Sequence, residues 1–191
     1  MPNWCYTNYK VTGDEAELKD LYNKMDSLDN MEDSLIKNGF GKNWLGNLIT
    51  LLGGDWEKIR CRGSITWLEL EDDVLRFDTE TAWVDMRETI DFLQEKYPSL
   101  IFSYIAEEPG CEYYVVHDSI GDVFPERYCV DCKDGDSLYY CEGEEEQLLN
   151  DISELIGEKV SSIKDAYSKV ALYNHDKDWE NMVEFRIYRE V

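Results

Sequence analysis

Six cysteines and two histidines are the residues of this sequence whose types suit metal binding or nucleophilic catalysis. Cys129 and Cys132 form a Cys-x-x-Cys pair, and Cys111, Cys141 and His117 are further candidate ligands. Zinc sites in proteins use cysteine pairs at this spacing, usually completed by a second pair or by histidines. A zinc site is therefore the first hypothesis to weigh against the structure that the neighbouring residues predict.

The residues around this cysteine pair are typical of a β-hairpin. Asp134-Gly135 is a two-residue turn signal between two strand-like segments, and it predicts that Cys129 lies opposite Tyr140. Side chains three positions apart on a strand point to opposite faces, so Cys129 and Cys132 do not converge on one ion. We therefore expect six free thiols, no metal and no cofactor.

Catalysis has few residues on which to rest. His117-Asp118 suits a general base with its orienting carboxylate, and Cys111 is a nearby nucleophile candidate. No phosphate-binding Gly-rich loop and no Gly-x-Ser-x-Gly motif is present in the sequence. We expect a protein that is not an enzyme, and a small hydrolase that uses Cys111 or His117 is an alternative.

The charge of the chain restricts its partners. The formal net charge is −23, and residues 107–158 hold 16 acids against Arg127 and Lys133, a net of −14. Nucleic acids and anionic membranes are bound through clustered Lys and Arg, so we expect neither as a direct partner. A basic protein partner is favoured. The candidate interaction face consists of the acids Asp131, Asp134, Asp136, Glu142, Glu144, Glu145 and Glu146.

Three interpretations of the acidic segment stay open: a solubilising surface, a protein-interaction face, and a nucleic-acid mimic that occupies the basic groove of a DNA-handling protein. Mimicry requires regularly spaced carboxylates along a face, because duplex DNA carries one charge per roughly 1.7 Å of axis. If these acids are unpaired, they repel one another. Added salt is then expected to raise the melting temperature, and Asp131→Asn or Asp136→Asn to relieve repulsion.

The patterns of apolar residues predict an α+β fold. They indicate, in order, strand 3–12, helix 14–28, strand 64–71, strand 74–82, helix 84–97 and strand 100–106, with a short helix inserted at 44–52. Thr12 and Glu15 suggest a capping box for the first helix, and Asp72-Asp73 suggests a hairpin turn. This βαββαβ order is ferredoxin-like, an antiparallel sheet with helices on one face.

A C-terminal extension follows this core. It is expected to contain a hairpin near 128–141, helices from 144 and from 163, and a final strand near 183–188. We expect residues 1–117 to form the ferredoxin-like core and residues 118–191 to pack on it as part of one structural domain. Trp4, Trp67 and Trp83 are expected in the core, with a ligand or peptide platform as the alternative.

Three short motifs resemble a known family. Pro2-Asn3-Trp4-Cys5, the stretch Phe77-Asp78-Thr79-Glu80-Thr81-Ala82-Trp83, and Glu108-Pro109-Gly110 resemble corresponding stretches of the YubB-like family of phage and plasmid proteins. The resemblance covers roughly residues 1–117. It implies a ferredoxin-like domain of mobile-element origin, and it supplies no catalytic residues. The expectation is a non-catalytic interaction protein.

The sequence also predicts a location. No apolar run approaches the roughly 18–20 residues that cross a bilayer, and the first residues lack the basic and apolar regions of a signal peptide. We therefore expect a cytoplasmic protein without a membrane segment.

Overall fold

The computed structural model describes residues 3–132 and 135–191. The chain divides into two compact units. Unit 1 extends to Phe124 and includes Glu190 and Val191, and unit 2 comprises Pro125–Arg189. Both units combine helices with sheets, so the α+β class is confirmed. Among the described residues, no helix has the length and apolar character needed to cross a membrane.

Unit 1 is built on a sheet of strand order β2-β3-β1-β4-β5-β9. Its elements are β1 (Trp4–Thr12), α1 (Glu15–Asn30), α2 (Leu45–Leu51), β2 (Gly63–Glu71), β3 (Val74–Ala82), α3 (Arg87–Lys96), β4 (Ile101–Glu108) and β5 (Tyr113–His117). The sheet also includes β9 (Arg189–Glu190), which begins at the last residue of unit 2. The neighbouring pairs from β2 to β5 are all antiparallel. The first four strands therefore share one sheet, and their ends lie within about two residues of the predicted boundaries.

One face of this sheet is buried and the other is open. Along β1, Cys5, Thr7, Tyr9 and Val11 are buried, whereas the residues between them are exposed or half-buried. This alternation follows from the period of two that a strand imposes on its side chains. The buried face packs with the apolar stripes of α1, α2 and α3 in one hydrophobic core.

The N-terminal cap of α1 differs from its prediction, whereas the turn between β2 and β3 agrees with it. Helix α1 is capped by Asp14, whose carboxylate accepts the N–H groups of Ala16 and Glu17 at 3.0 and 3.1 Å. Thr12 instead belongs to β1, so the predicted capping box is wrong, because an aspartate closer to the helix takes the capping position. The predicted hairpin turn is confirmed: Asp72 and Asp73 have φ of 50° and 60° between β2 and β3.

Unit 2 contains a three-stranded sheet of order β7-β6-β8. Its elements are β6 (Glu126–Asp131), β7 (Ser137–Cys141), α4 (Glu145–Ile156), α5 (Ile163–Asn174) and β8 (Phe185–Ile187). Its own core joins both helices to the sheet through residues such as Leu148, Ile152, Ala166 and Val130.

The hairpin register in unit 2 differs by one residue from the prediction. Cys129 lies opposite Tyr139, not Tyr140. The N–H of Cys132 donates to the carbonyl of Asp136 at 2.8 Å, and Gly135 has φ of 83°. These contacts close a three-residue loop with a glycine in the left-handed region, where a two-residue turn was predicted. The other two loop residues, Lys133 and Asp134, lie outside the described residues.

Candidate functional site

The tryptophans predicted to lie in the core are largely exposed. Trp4, Trp67 and Trp83 expose 43%, 45% and 42% of their surface. Trp4 alternates with buried Cys5 on β1, and Trp67 pairs with Asp78 on the same open face because of a β-bulge between Ile65 and Trp67. The core prediction is therefore wrong, since strand parity directs Trp4 and the bulge directs Trp67 to solvent, and Trp83 lies beyond the end of β3.

A groove of about 440 Å³ lies on the open side of unit 1 beside Trp4. It is lined by Trp4, Gly39, Phe40, Trp44, Arg62, Gly63, Ser64, Glu80 and Ala82. We call this set the aromatic groove. Its walls come from the adjacent ends of β1, β2 and β3 and from the segment that precedes α2. Three aromatic residues and two residues of opposite charge therefore line one concave surface.

The fixed wall of the aromatic groove is Trp44. This residue precedes the first turn of α2 and is 4% exposed. Its ring lies over Gly46, where a Cβ atom would come within 2.2 Å of it, and it meets Trp56 edge-on at 5.2 Å between centroids. A side chain larger than glycine at position 46 would displace the ring. The sequence thus makes room for a rigid aromatic wall.

The outer wall of the aromatic groove is Phe40, which is 65% exposed. Its ring centroid lies 5.4 Å from that of Trp44. Gly39 and Gly41 flank it with φ of 85° and 87°, in a region that favours glycine. The turn thus projects an apolar ring into solvent beside a second ring, and clustered apolar surface of this kind marks binding sites.

The floor of the groove is formed by β2 and β3. A Cβ atom at Gly63 would come within 2.4 Å of the carbonyl oxygen of Glu80, so glycine permits the two strands to approach closely. Ser64 pairs with Glu80 across the strands. Within residues 3–132 and 135–191, neither Glu80 nor Arg62 takes part in an ion pair. Both charges are thus available to a ligand.

Trp83 follows Ala82 of the groove and has φ of 75°, an uncommon value for a bulky residue. Its N–H donates to the carbonyl of Asn3 at 3.0 Å, and the Thr81 hydroxyl donates to the carbonyl of Val84 at 2.8 Å. These bonds hold the strained residue from both sides. Strain of this kind is concentrated at ligand clamps and other functional sites.

The loop that carries Trp83 is anchored by a buried carboxylate. Asp85 is 5% exposed, and its Oδ1 accepts the hydroxyl proton of Tyr113. Its Oδ2 is buried and lies 3.8 Å from Nε of Arg87, which is too long for a hydrogen bond. Burial and then the nearby Asp85 charge raise the pKa of the Tyr104 hydroxyl to about 12. The tyrosines around Asp85 are thus neutral donors that fix the loop.

A second buried carboxylate lies at the same end of the sheet. Glu108, 3% exposed, accepts the N–H of Gly110 at 3.0 Å through Oε1, whereas its Oε2 is buried without a partner among the described residues. Hydrogen bonding to Glu108 raises the pKa of the Cys111 thiol above its ordinary value. A raised pKa lowers the thiolate fraction, which is the opposite of what an activated nucleophile needs.

The residues of the hydrolase alternative are not assembled into a catalytic group. Cys111 precedes β5 and His117 ends it, so the length of the strand, roughly 13 Å, lies between them. The His117 ring stacks on Tyr104, and its Nδ1 contacts the carbonyl of Val191. Asp118 does not orient His117, because its carboxylate accepts backbone N–H groups of the following loop.

The predicted acidic face is divided in unit 2. Asp131 and Asp136 lie beside the hairpin loop, and Asp134 is outside the described residues. Glu142, Glu144, Glu145 and Glu146 lie past the other end of β7, around the start of α4. The five residues of β7, roughly 17 Å, separate the two groups. The acids therefore do not form one continuous cluster.

Some of these acids have local structural roles. Asp131 forms an ion pair with Arg186 at 2.7 Å and accepts the hydroxyl of Ser137. Glu144 accepts the N–H of Cys141 at 2.9 Å, and Glu145 and Glu146 lie in the first turn of α4, where they favour the helix dipole. Asp131 is therefore a paired residue, in contrast to the expectation that its removal relieves repulsion.

The six cysteines are free thiols, and Cys5, Cys61 and Cys129 are buried. Burial raises the pKa of the Cys5 and Cys61 thiols to about 11. In the part of the chain that the structure describes, no three His, Cys, Asp or Glu side chains are grouped to hold a metal ion.

Sequence reasoning missed the aromatic groove, although one signal for part of it is present. On β1, Trp4 lies on the same face of the sheet as Asn8 and Lys10, whereas Val11 lies on the opposite face. Polar partners of equal parity indicate the solvent face. Phe40 carries no comparable signal, because it lies in a turn without periodicity.

Comparison of the chain with models of protein families, with curated proteins and with solved structures gives no match.

Proposed function

We propose that this protein is a non-catalytic interaction protein that binds a segment of a basic partner protein in the aromatic groove of unit 1. The observation that carries the proposal is the groove itself, in which the exposed rings of Trp4 and Phe40 face a concave surface of about 440 Å³ backed by Trp44. Exposed aromatic side chains next to a pocket are typical of the residues that dominate binding energy in protein interfaces.

The charge of the chain supports a basic partner. A net charge of −23 attracts cationic proteins over distances of about a Debye length and repels nucleic acids and anionic surfaces. Glu80 also lines the groove, its side chain lies on the open face opposite Tyr6, and it is not ion-paired among the described residues. Charge complementarity thus applies to the whole molecule, and within the groove Glu80 favours a cation whereas Arg62 opposes one.

The order of the strands supports a finer assignment of the fold. In β2-β3-β1-β4, with α1 after β1 and α3 after β3, the connections are those of a ferredoxin-like unit, and we include that fold in the proposal. Origin from a phage or plasmid remains a prediction that rests on the sequence motifs, and a cytoplasmic location remains one that rests on the lack of a long apolar run and of signal-peptide features in the sequence.

The acidic segment does not form the binding site in this proposal. A nucleic-acid mimic requires carboxylates in regular rows, and the separation of the predicted acids by β7 gives that alternative no specific support. Residues such as Glu145 and Glu146 have a sufficient role at the start of α4. The segment contributes to the negative field that attracts a basic partner.

The test is selection of binders from a randomised peptide library displayed on phage, with the full chain as target. We expect the selected peptides to be rich in basic residues and to lose at least tenfold in affinity for Trp4→Ala and Phe40→Ala variants. Trp179→Ala is the matched control, because Trp179 is 79% exposed and lies in unit 2. Equal binding to all three variants would show that the aromatic groove is not the recognition surface.

A further inference from the structure

We infer that the group which enters the aromatic groove is the guanidinium of a partner arginine, stacked on the rings of Trp4 and Phe40 and paired with the carboxylate of Glu80. This inference rests on the proposed function and names the chemistry of its ligand. Trp4 and Phe40 present exposed aromatic faces, and Glu80 lies on the same open face of the sheet. Cations are attracted to aromatic faces, and tryptophan is the strongest such partner.

Arginine fits the groove better than lysine. A guanidinium is planar, stacks on aromatic rings and binds a carboxylate through two parallel hydrogen bonds. It is also more weakly hydrated than an ammonium, so entry into an apolar groove removes less favourable hydration. The buried ring of Trp44 supports the ring of Phe40 from behind, and the close approach of β2 to β3 at Gly63 fixes the backbone of Glu80.

Arg62 allows the sign of the ligand's charge to be tested. Its side chain lines the same groove and is exposed, so its positive charge opposes a bound cation and favours a bound anion. If the ligand is an arginine, neutralising Glu80 weakens binding and neutralising Arg62 strengthens it. If the ligand is a carboxylate or a phosphate, both effects have the opposite sign. The two lining charges therefore decide the class of ligand without knowledge of the partner.

The experiment titrates the full chain with a blocked peptide, Gly-Gly-Arg-Gly-Gly, followed by nuclear magnetic resonance of the tryptophan side chains. The controls are the same peptide with lysine and with citrulline, which keeps the shape of arginine without its charge. We expect the arginine peptide to bind about tenfold more tightly than the citrulline peptide and more tightly than the lysine peptide. Glu80→Gln should weaken the arginine peptide about tenfold, and Arg62→Gln should tighten it two- to threefold.

The outcomes separate this inference from the proposed function. Equal affinity for the arginine and citrulline peptides, or no effect of Glu80→Gln, would overturn the arginine inference. If peptides selected from the library still lose affinity for Trp4→Ala but not for Glu80→Gln, the groove takes an apolar side chain and the proposed function stands. If neither variant changes their binding, both proposals fail. Each variant is compared with the parent by its melting temperature, so that unfolding is not mistaken for lost recognition.

Discussion

Replacement of Asp118 by asparagine is expected to destabilise unit 1 strongly. Asp118 is 4% exposed and follows β5. Its Oδ1 accepts the N–H groups of Ile120 and Gly121 at 3.2 and 3.0 Å, and its Oδ2 accepts those of Val123 and Phe124 at 2.7 and 2.8 Å. One carboxylate therefore satisfies four backbone donors of a loop that has no sheet or helix of its own.

The magnitude follows from the number of donors. The asparagine of the variant would keep one oxygen, but its NH₂ group would face two backbone N–H groups in place of an acceptor. A fully buried donor that loses its partner costs about 1–3 kcal/mol, and of these four residues only Phe124 is buried, so the free energy of unfolding should fall by up to about 6 kcal/mol. This is a large share of the roughly 5–15 kcal/mol by which domains are stable.

The assay is urea unfolding followed by tryptophan fluorescence, which reports mainly on unit 1 because five of the six tryptophans lie there. The matched control is Asp122→Asn, since Asp122 lies in the same loop, is exposed and changes the net charge equally. We expect the control to stay within about 0.5 kcal/mol of the parent. A loss below about 1 kcal/mol for Asp118→Asn would refute the idea that this carboxylate organises the loop.

The pH dependence supplies a second check on Asp118. Burial alone would raise its pKa, but the four backbone donors lower it below the ordinary value. A carboxylate with a lowered folded pKa stabilises the protein above its unfolded pKa of about 3.9, and this contribution is lost as the pH falls through the folded pKa. The difference between the parent and Asp118→Asn should therefore be largest near neutral pH and shrink below about pH 4.

Three further outcomes are expected. Trp83→Gly should be about 1 kcal/mol more stable than Trp83→Ala in thermal or urea unfolding. Both variants lose the ring, but only glycine adopts φ of 75° freely. If Trp83→Ala were the more stable variant, the backbone at position 83 would not be strained. Asp131→Asn should destabilise unit 2 by about 1–3 kcal/mol, since the ion pair between Asp131 and Arg186 is lost. Asp136→Asn, at an exposed position, should change the free energy of unfolding little. Equal effects of the two variants in urea unfolding would contradict a stabilising role of the ion pair. Added salt should raise the melting temperature, because 42 acids face 19 bases, and a fall would mean that attractive pairs dominate the surface.

The sequence predicts the elements of unit 1 well because each has a local physical signal. Apolar periodicity marks α1 and α3, and the Asp72-Asp73 turn fixes the hairpin of β2 and β3. Strand order cannot be seen in periodicity, but the βαββαβ succession leaves few antiparallel arrangements. The hairpin of unit 2 was misjudged by one residue, because Gly135 suits both two-residue and three-residue loops.

The candidate site was less predictable, for reasons that differ between its residues. Apolar character alone assigned Trp4 and Trp67 to the core, although strand parity and a bulge direct them outwards. Phe40 and Trp44 line the same groove as Trp4 because the chain returns to the sheet before α2. No local sequence pattern reveals this return. Conversely, charge density drew attention to Glu145 and Glu146, whose placement at a helix start already has a local explanation.

In the proposed function, the charge of the chain and the aromatic groove act at different stages of one recognition event. A net charge of −23 acts over several ångströms in water, so it increases the rate at which a basic partner arrives, and salt weakens this effect. It cannot distinguish one basic protein from another. The rings of Trp4 and Phe40 and the carboxylate of Glu80 act only on contact, so they determine how long a partner remains bound. Under this proposal, selectivity depends on the groove, even though the acidic segment is the more conspicuous feature of the sequence.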